Sequence, residues 1–197
     1  MTPRLPSLAL TAVLLATFPL YAEVKEDFEV SRDVQRESAE QENLTCALVE
    51  EPGKAENHVF KMEWTAHGGT HVGANLVGTG PVLIEEAGKY KITARVNLEQ
   101  VDSECNALAL RILDGTGNET FQIYAPLENL GEPGWQEMSW EVDTEHFDTE
   151  KTPSWGQQVN GVVDMPARLL GFAIGFRDWK TKGGTILIDD ISVTKID

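Results

Sequence analysis

The sequence predicts an all-β protein, a single antiparallel β-sandwich of the jelly-roll type. Short stretches in which polar and apolar residues alternate recur along the chain, and turn-forming segments such as residues 114–118 separate them. A helical repeat of apolar residues is nearly absent, since the best candidate, residues 32–43, is polar on every side. Seven or more short strands with polar turns between them are typical of two-layered β folds.

The strand predictions follow the chain in order, and each rests on alternation between two faces. In the first, Phe60, Met62 and Trp64 share one face, and in the fifth Trp140 lies among apolar neighbours, so both tryptophans are expected in the core. The predicted strands are residues 58–65, 90–96, 106–113, 120–125, 135–143, 170–177 and 185–194.

The first 22 residues are predicted to be a secretory signal peptide, so that the folded domain is residues 23–197. Arg4 is the only charged residue before Glu23, residues 8–20 are almost wholly apolar, and Ala22 is a small residue at the expected cleavage site. An N-terminal membrane anchor is the alternative, but the apolar run is short for a membrane span. We therefore expect a secreted or periplasmic protein. We also expect it to be a monomer.

The charge of the chain limits its partners. It has 32 acidic and 16 basic residues, a formal net charge of −16 at pH 7. Nucleic acids and anionic membranes bind positively charged surfaces, so neither is expected as a partner. The composition favours a ligand that is neutral, or one that a few cations hold locally.

Two cysteines, Cys46 and Cys105, remain after the predicted cleavage. Disulfides persist in an exported protein, and a bridge between these residues would stabilise the fold. Two unpaired buried thiols are the alternative, and the sequence leaves both open.

The predicted strand near residue 170 carries an unusual strip of small side chains. Its even-numbered residues from 170 to 176 are bulky and apolar and are expected to face the core. The opposite face would present Gly171, Ala173 and Gly175, followed by Arg177 and Trp179 if the strand continues to residue 179. A face without bulky side chains leaves space for a ligand.

If the neighbouring strands share this sheet, four more polar residues join the same outer face. Arginine forks, hydroxyls and aromatic rings are the groups that hold a sugar, and an ordinary solvated face is the alternative. In the long irregular segment 144–167, Trp155 is a further candidate for stacking on a ligand. The candidate ligand-binding residues are Arg95, Arg111, Gln122, Tyr124, Trp155, Arg177 and Trp179.

Four segments together resemble the CenC-type carbohydrate-binding modules of the galactose-binding-like class. They are residues 27–29 (DFE), 85–96 (EEAGKYKITARV), 134–142 (GWQEMSWEV) and 183–193 (GGTILIDDISV). The resemblance implies a jelly roll that binds a polysaccharide or oligosaccharide. It also implies a structural calcium ion held by Glu29 and Asp189, with Asp190 as a substitute ligand. An outward turn at residues 189 and 190 is the alternative.

No catalytic residues are predicted. The sequence has no G-x-S-x-G nucleophile elbow, no H-E-x-x-H pair and no phosphate-binding loop. The first alternative to a binding module is a jelly-roll lyase of acidic polysaccharides, in which Arg111 or Arg177 would neutralise a uronate while Tyr124 moves the proton. The second is a structural or adhesive domain.

Overall fold

The computed structural model describes residues 23–30, 32–150 and 153–196, and the predicted signal peptide lies outside them. Within these residues the secondary structure is all strand apart from a 3₁₀ turn at Arg177–Trp179. The all-β prediction is confirmed. The strands are β1 (Glu23–Glu26), β2 (Val34–Arg36), β3 (Leu44–Glu51), β4 (Lys54–Gly68), β5 (His71–Leu76), β6 (Val82–Ile84), β7 (Lys89–Val101), β8 (Cys105–Leu113), β9 (Glu119–Pro126), β10 (Trp135–Asp143), β11 (Ser154–Gly156), β12 (Ala167–Phe176) and β13 (Lys180–Lys195).

The strands form two antiparallel sheets, as the sequence predicts for a sandwich. Sheet A has the order β10-β7-β13-β4-β3, with β1 paired to β13. Sheet B has the order β11-β9-β8-β12-β5-β2, with β6 paired to β12. The first and last strands therefore lie together in sheet A.

The core lies between the two sheets, where aromatic residues from both meet. Phe60 of sheet A packs edge-to-face on Phe172 of sheet B, with ring centroids 5.2 Å apart. The indole of Trp140 in sheet A donates a hydrogen bond to the backbone oxygen of Leu108 in sheet B, at 3.0 Å. Trp64 is buried as well, so both core predictions for tryptophan are confirmed.

Strand β12 differs from its prediction at both ends. Its pairing with β8 shifts register between Leu169 and Gly171, and this bulge places Leu169 in the core and leaves Leu170 half-buried. From Phe172 onward the alternation follows the prediction. The strand ends at Phe176, so the expected continuation to Trp179 is wrong.

Cys46 and Cys105 are both free thiols. Cys105 is buried, as the second of the two alternatives expects, and Cys46 is half-buried. Cys46 lies on β3 of sheet A and Cys105 on β8 of sheet B. Burial, with a contribution from the charge of Asp102, raises the pKa of Cys105 to about 12. The described part of the chain has no helix long and apolar enough to cross a membrane.

Candidate functional site

The outer face of sheet B brings four of the predicted ligand-binding residues together. Arg111 on β8 lies opposite Gln122 on β9, Tyr124 is two positions further along β9, and the short edge strand β11 carries Trp155. They line one open cavity of about 420 Å³, which we call the sheet B bowl. The bowl is lined by Glu37, Thr70, His71, Arg111, Gln122, Tyr124, Pro153 and Trp155.

Arg111 is the centre of the bowl. Its side chain is 1% exposed, its Nε donates to Oε1 of Gln122 at 2.6 Å, and its Nη2 donates to Oε2 of Glu37 at 2.9 Å. A side chain on Gly73 would collide with this pair, since its Cβ would lie 2.5 Å from Nη1 of Arg111 and 2.6 Å from Oε2 of Glu37. The guanidinium of Arg111 therefore reaches from β8 across β12 to Gly73 of β5.

Glu37 connects Arg111 to the far wall of the bowl. It follows β2, and its backbone nitrogen bonds to the oxygen of Gly73 on β5 at 2.9 Å. Its Oε2 also lies 3.0 Å from Nε2 of His71, whose Nδ1 contacts the hydroxyl of Thr70 at 2.9 Å. Burial opposes ionisation of Glu37, but the hydrogen bond of His71 and the charge of Arg111 outweigh it and hold its pKa at about 2. The bowl thus contains a charge-balanced pair at neutral pH.

The opposite wall is aromatic. Trp155 is 37% exposed and Tyr124 is 44% exposed. The guanidinium carbon of Arg111 lies 5.4 Å from the centre of the Trp155 ring, and the hydroxyl of Tyr124 accepts a hydrogen bond from Nε2 of Gln122. An accessible indole face beside fixed polar groups can bind a ligand that has both an apolar face and hydroxyls.

Gly156 is what allows β11 to approach β9 so closely. A Cβ at this position would lie 1.9 Å from the backbone oxygen of Asn118, and its φ of +152° is one that glycine adopts readily. Trp155 therefore owes its place over the sheet to the glycine that follows it.

The other three predicted residues lie outside the bowl. Arg95 is on β7 of sheet A, so the expectation that it shares a face with Arg111 is wrong. Arg177 and Trp179 lie in the exposed 3₁₀ turn after β12 rather than on the sheet, and Trp179 is 70% exposed. The turn adjoins the rim, because the oxygen of Trp179 accepts a hydrogen bond from the nitrogen of Gly69 at 2.9 Å.

Arg95 is held by acidic residues on sheet A. Its Nη2 donates to Glu51 at 3.1 Å and to Asp189 at 2.5 Å, and its Nε donates to Asp190 at 2.9 Å. The ring of Trp135 lies 4.2 Å from its guanidinium carbon. We call Arg95 with these three carboxylates the sheet A cluster.

Of the two calcium ligands that the resemblance implies, Asp189 belongs to the sheet A cluster and Glu29 does not. Glu29 is exposed and accepts a hydrogen bond from the backbone nitrogen of His58 at 2.8 Å. Glu26, three residues earlier, is 5% exposed, and its Oε2 has no hydrogen-bond partner, although a guanidinium nitrogen of Arg32 lies 3.4 Å away. Burial raises the pKa of Glu26, and the nearby charge of Asp189 adds to this rise. Glu26 is the last residue of β1, which pairs with β13, the strand that carries Asp189.

Asp189 itself is fully buried, and burial raises its pKa even though Asn57 and Arg95 donate hydrogen bonds to it. Buried carboxylate oxygens, one of them without a partner, are suitable ligands for Ca²⁺.

A second acidic group lies at the end of β10. Asp143, Glu145 and His146 have ligand atoms within 4.8 Å of one another, the one such group in the described part of the chain. Lys89 already pairs with Asp143 at 3.4 Å, and Glu145 and His146 are exposed. These contacts are those of an ordinary charged surface.

The sequence predictions missed Glu37 and His71 for identifiable reasons. Glu37 lies in the polar segment 32–43, where no alternation points to a strand. His71 begins β5, a strand that was not predicted although Val72, Ala74 and Leu76 alternate and are all buried. That alternation would have placed His71 on the outer face.

Comparisons with known proteins identify the fold. No protein-family profile and no curated protein matches the sequence. Among solved structures, the chain is similar to the family 11 carbohydrate-binding module of a cellulosomal cellulase of Clostridium thermocellum (TM-score 0.54, 13% identity, 89% of this chain and 95% of that one). The family 11 module in complex with a β-1,3-1,4-mixed-linked tetrasaccharide is also similar (TM-score 0.53, 14% identity, 86% and 93% covered).

Enzymes appear among the similar structures too. An exo-β-agarase has a TM-score of 0.54 at 13% identity, and the match covers 87% of this chain. The chain spans about a quarter of that enzyme, and also of an arabinose-bound α-L-arabinofuranosidase with a TM-score of 0.51. All four likenesses show a shared β-sandwich fold, and the CenC-type assignment stays a prediction.

Proposed function

We propose that this protein is a secreted, monomeric, non-catalytic carbohydrate-binding module that recognises a polysaccharide in the sheet B bowl. The observation that carries the proposal is the placement of Arg111. It is buried, fixed by Gln122 and Glu37, and lies next to the exposed ring of Trp155. Such preorganised polar groups beside an aromatic surface lower the entropy cost of binding.

The two walls of the bowl would contact different parts of a sugar. The ring of Trp155 stacks on the apolar face of a sugar, while Tyr124 and the edge of the network around Arg111 meet its hydroxyls. The fold supports this proposal, because two solved structures of a carbohydrate-binding module match nearly the whole described chain.

Arg177 and Trp179 would contact a longer ligand. Their turn lies at the end of β12 and is bonded to Gly69, next to Thr70 on the bowl rim. A polysaccharide that leaves the bowl past Thr70 would reach this turn.

The contacts of Arg111 do not favour the lyase alternative. A lyase needs a cation that neutralises the carboxylate of its substrate, and Glu37 already pairs with this guanidinium at 2.9 Å.

A screen of the purified protein against immobilised polysaccharides, with and without calcium, tests the proposal. We expect retention by at least one polysaccharide, loss of that retention in R111A, and no release of sugar or of unsaturated products. Failure to bind any glycan, or release of product, would contradict it.

We further propose that calcium is held by Glu26 and Asp189 rather than by Glu29. Both carboxylates are at most 5% exposed. The ion would supply positive charge to these buried carboxylates and connect strands β1 and β13, a structural role.

A further inference from the structure

The segment that carries Trp155 is bonded to strand β9, or to the turn before it, on both sides of the indole. Before Trp155, the backbone oxygen of Pro153 accepts a hydrogen bond from the nitrogen of Gln122 at 3.1 Å. After it, the nitrogen of Gln157 donates to the oxygen of Asn118, just before β9, at 2.8 Å. The backbone around Trp155 is therefore attached to one neighbouring strand.

The side chain of Glu119 extends this attachment. Glu119 is the first residue of β9 and lies opposite Gly156 in the pairing of β11 with β9. Its Oε2 accepts a hydrogen bond from the backbone nitrogen of Asn160 at 2.8 Å, and its Oε1 accepts one from the nitrogen of Gly161 at 3.1 Å. The carboxylate thus holds the loop that follows β11 against the start of β9.

The burial of Glu119 is unusual for a charged residue. It is 1% exposed, and within the described part of the chain its carboxylate is bonded to these two backbone nitrogens and to no lysine or arginine. A buried carboxylate costs free energy unless hydrogen bonds or an opposite charge compensate it. Hydrogen bonds from backbone N–H groups to a carboxylate are stronger than those to a neutral acceptor. The charge at this position is therefore explained by the loop that it binds, rather than by packing in the core.

Trp155 depends on such contacts because it lies at the edge of sheet B. Strand β11 has three residues, and among the described strands it pairs with β9 alone. The indole is 37% exposed, so the core does not enclose it. A short edge strand with little buried apolar surface opens at a low free-energy cost. The contacts of the adjacent loop therefore affect how much of the time the ring lies beside Arg111, whose guanidinium carbon is 5.4 Å from its centre.

We infer that Glu119 is a positioning residue for Trp155, which holds the loop at residues 156–161 on β9 so that the indole stays in place as one wall of the sheet B bowl. This inference rests on the proposed function and deepens it. Glu119 is not among the residues that line the bowl, so it acts on a bound glycan only through Trp155.

A double-mutant cycle tests this role. Wild type, E119Q, W155A and the double variant are titrated calorimetrically with β-1,3-1,4-mixed-linkage glucan, xylan and galactomannan. E119Q is expected to weaken binding of the preferred glycan about fivefold, because the amide keeps only one of the two acceptor oxygens and the indole is in place less of the time. In the W155A background the same substitution is expected to cause no further loss, since the residue through which Glu119 acts is gone.

E51Q is the matched control. Glu51 is also a buried glutamate, 4% exposed, but it lies on sheet A, where its Oε2 accepts hydrogen bonds from Asn57 at 2.7 Å and from Arg95 at 3.1 Å. The variant is expected to lower the melting temperature at least as much as E119Q, because it also loses an ion pair, and to bind the glycan like wild type. A loss of stability is thereby separated from a loss of positioning.

Hydrogen exchange measured by mass spectrometry gives a readout that needs no glycan. Peptides that cover residues 153–164 are expected to exchange faster in E119Q than in wild type, and at the wild-type rate in E51Q. E119D serves if E119Q does not fold. It keeps the charge but is one methylene shorter, so it is expected to lose contact with the loop and to weaken binding in the same direction.

The outcomes distinguish this inference from the proposed function. Glycan binding that E119Q and E119D leave unchanged would overturn the positioning role without touching the proposed function. A loss of binding that persists in full when Trp155 is already replaced would overturn it as well, because Glu119 would then act by another route. Binding of none of the three glycans by wild type would overturn the proposed function and this inference together.

Discussion

Two arginines on opposite faces of the sandwich have similar surroundings but differ in how completely their guanidinium groups are paired. Arg111 of sheet B and Arg95 of sheet A each have a tryptophan ring within 5.4 Å and a carboxylate within hydrogen-bond distance. Arg95 pairs with three carboxylates, and two of them, Glu51 and Asp189, are buried. Arg111 pairs with one carboxylate and one amide, and its Nη1 remains without a partner.

The pairing of an arginine, rather than its presence, therefore indicates a binding site. The guanidinium of Arg95 compensates charges that the fold has buried, so it acts within the structure. The guanidinium of Arg111 is fixed by Gln122 and Glu37, and its Nη1 is buried without a partner.

The largest effect is expected when each arginine is replaced by methionine. R111M should lower the free energy of unfolding by about 3 kcal/mol, because Glu37 then lacks its guanidinium partner, and it should abolish glycan retention. R95M should destabilise the protein by a similar amount, because Asp189 is fully buried, yet retain glycan binding. Urea denaturation and affinity electrophoresis measure the two properties separately. Loss of binding in R95M would break the contrast.

The sequence predicts the two sheets well, because alternation within a strand is a local property. It placed Phe172 and Ile174 in the core, and both are fully buried. Which strands share a sheet is a long-range property, and the prediction for Arg95 failed there: nothing within residues 90–96 shows that β7 pairs with β10 and β13. The four bowl residues that do converge lie on β8, β9 and β11, neighbours in sheet B.

Local backbone geometry is a second property that the sequence pattern does not predict, as strand β12 and Glu26 show. The bulge at Leu169 and Gly171 changes which residue faces the core without any change in composition. Likewise, Glu26 at the end of β1 is buried and Glu29 in the turn that follows is exposed, although the two glutamates are three positions apart in one acidic segment. Backbone geometry decides both cases.

The two tryptophans provide a second comparison. W155A should weaken glycan binding about tenfold or more, by analogy with aromatic stacking on nucleobases, because its exposed ring forms one wall of the bowl. W135A removes the ring that lies over Arg95 on sheet A and should leave binding unchanged. Isothermal titration of both variants measures the difference. Equal losses of glycan binding in W155A and W135A would contradict the placement of the ligand in the sheet B bowl.

Chelation tests the proposed calcium site at Glu26 and Asp189. EDTA should lower the melting temperature of wild type, and E26Q should abolish that response, because Glu26 supplies a buried oxygen without a partner. E29Q is the matched control and should respond like wild type, since Glu29 bonds to His58 instead. Differential scanning calorimetry measures all three proteins. A wild-type melting temperature indifferent to the chelator would contradict the calcium proposal.

The smallest effect on stability is expected from a change in pH, and it depends on Glu37 in the bowl rather than on exposed carboxylates. The folded-state pKa of Glu37 is about 2, below its ordinary value of 4.5, so its ionisation stabilises the fold. That contribution is fully present above pH 4.5 and is lost as the pH falls toward 2. E37Q should therefore lose less stability than wild type over this window, whereas E137Q, at an exposed position on β10, should follow wild type. Because the protonated carboxyl no longer balances the charge of Arg111, glycan binding should weaken in the same window. Identical pH profiles for wild type and E37Q would show that the pair of Glu37 and Arg111 contributes nothing to the stability of the bowl.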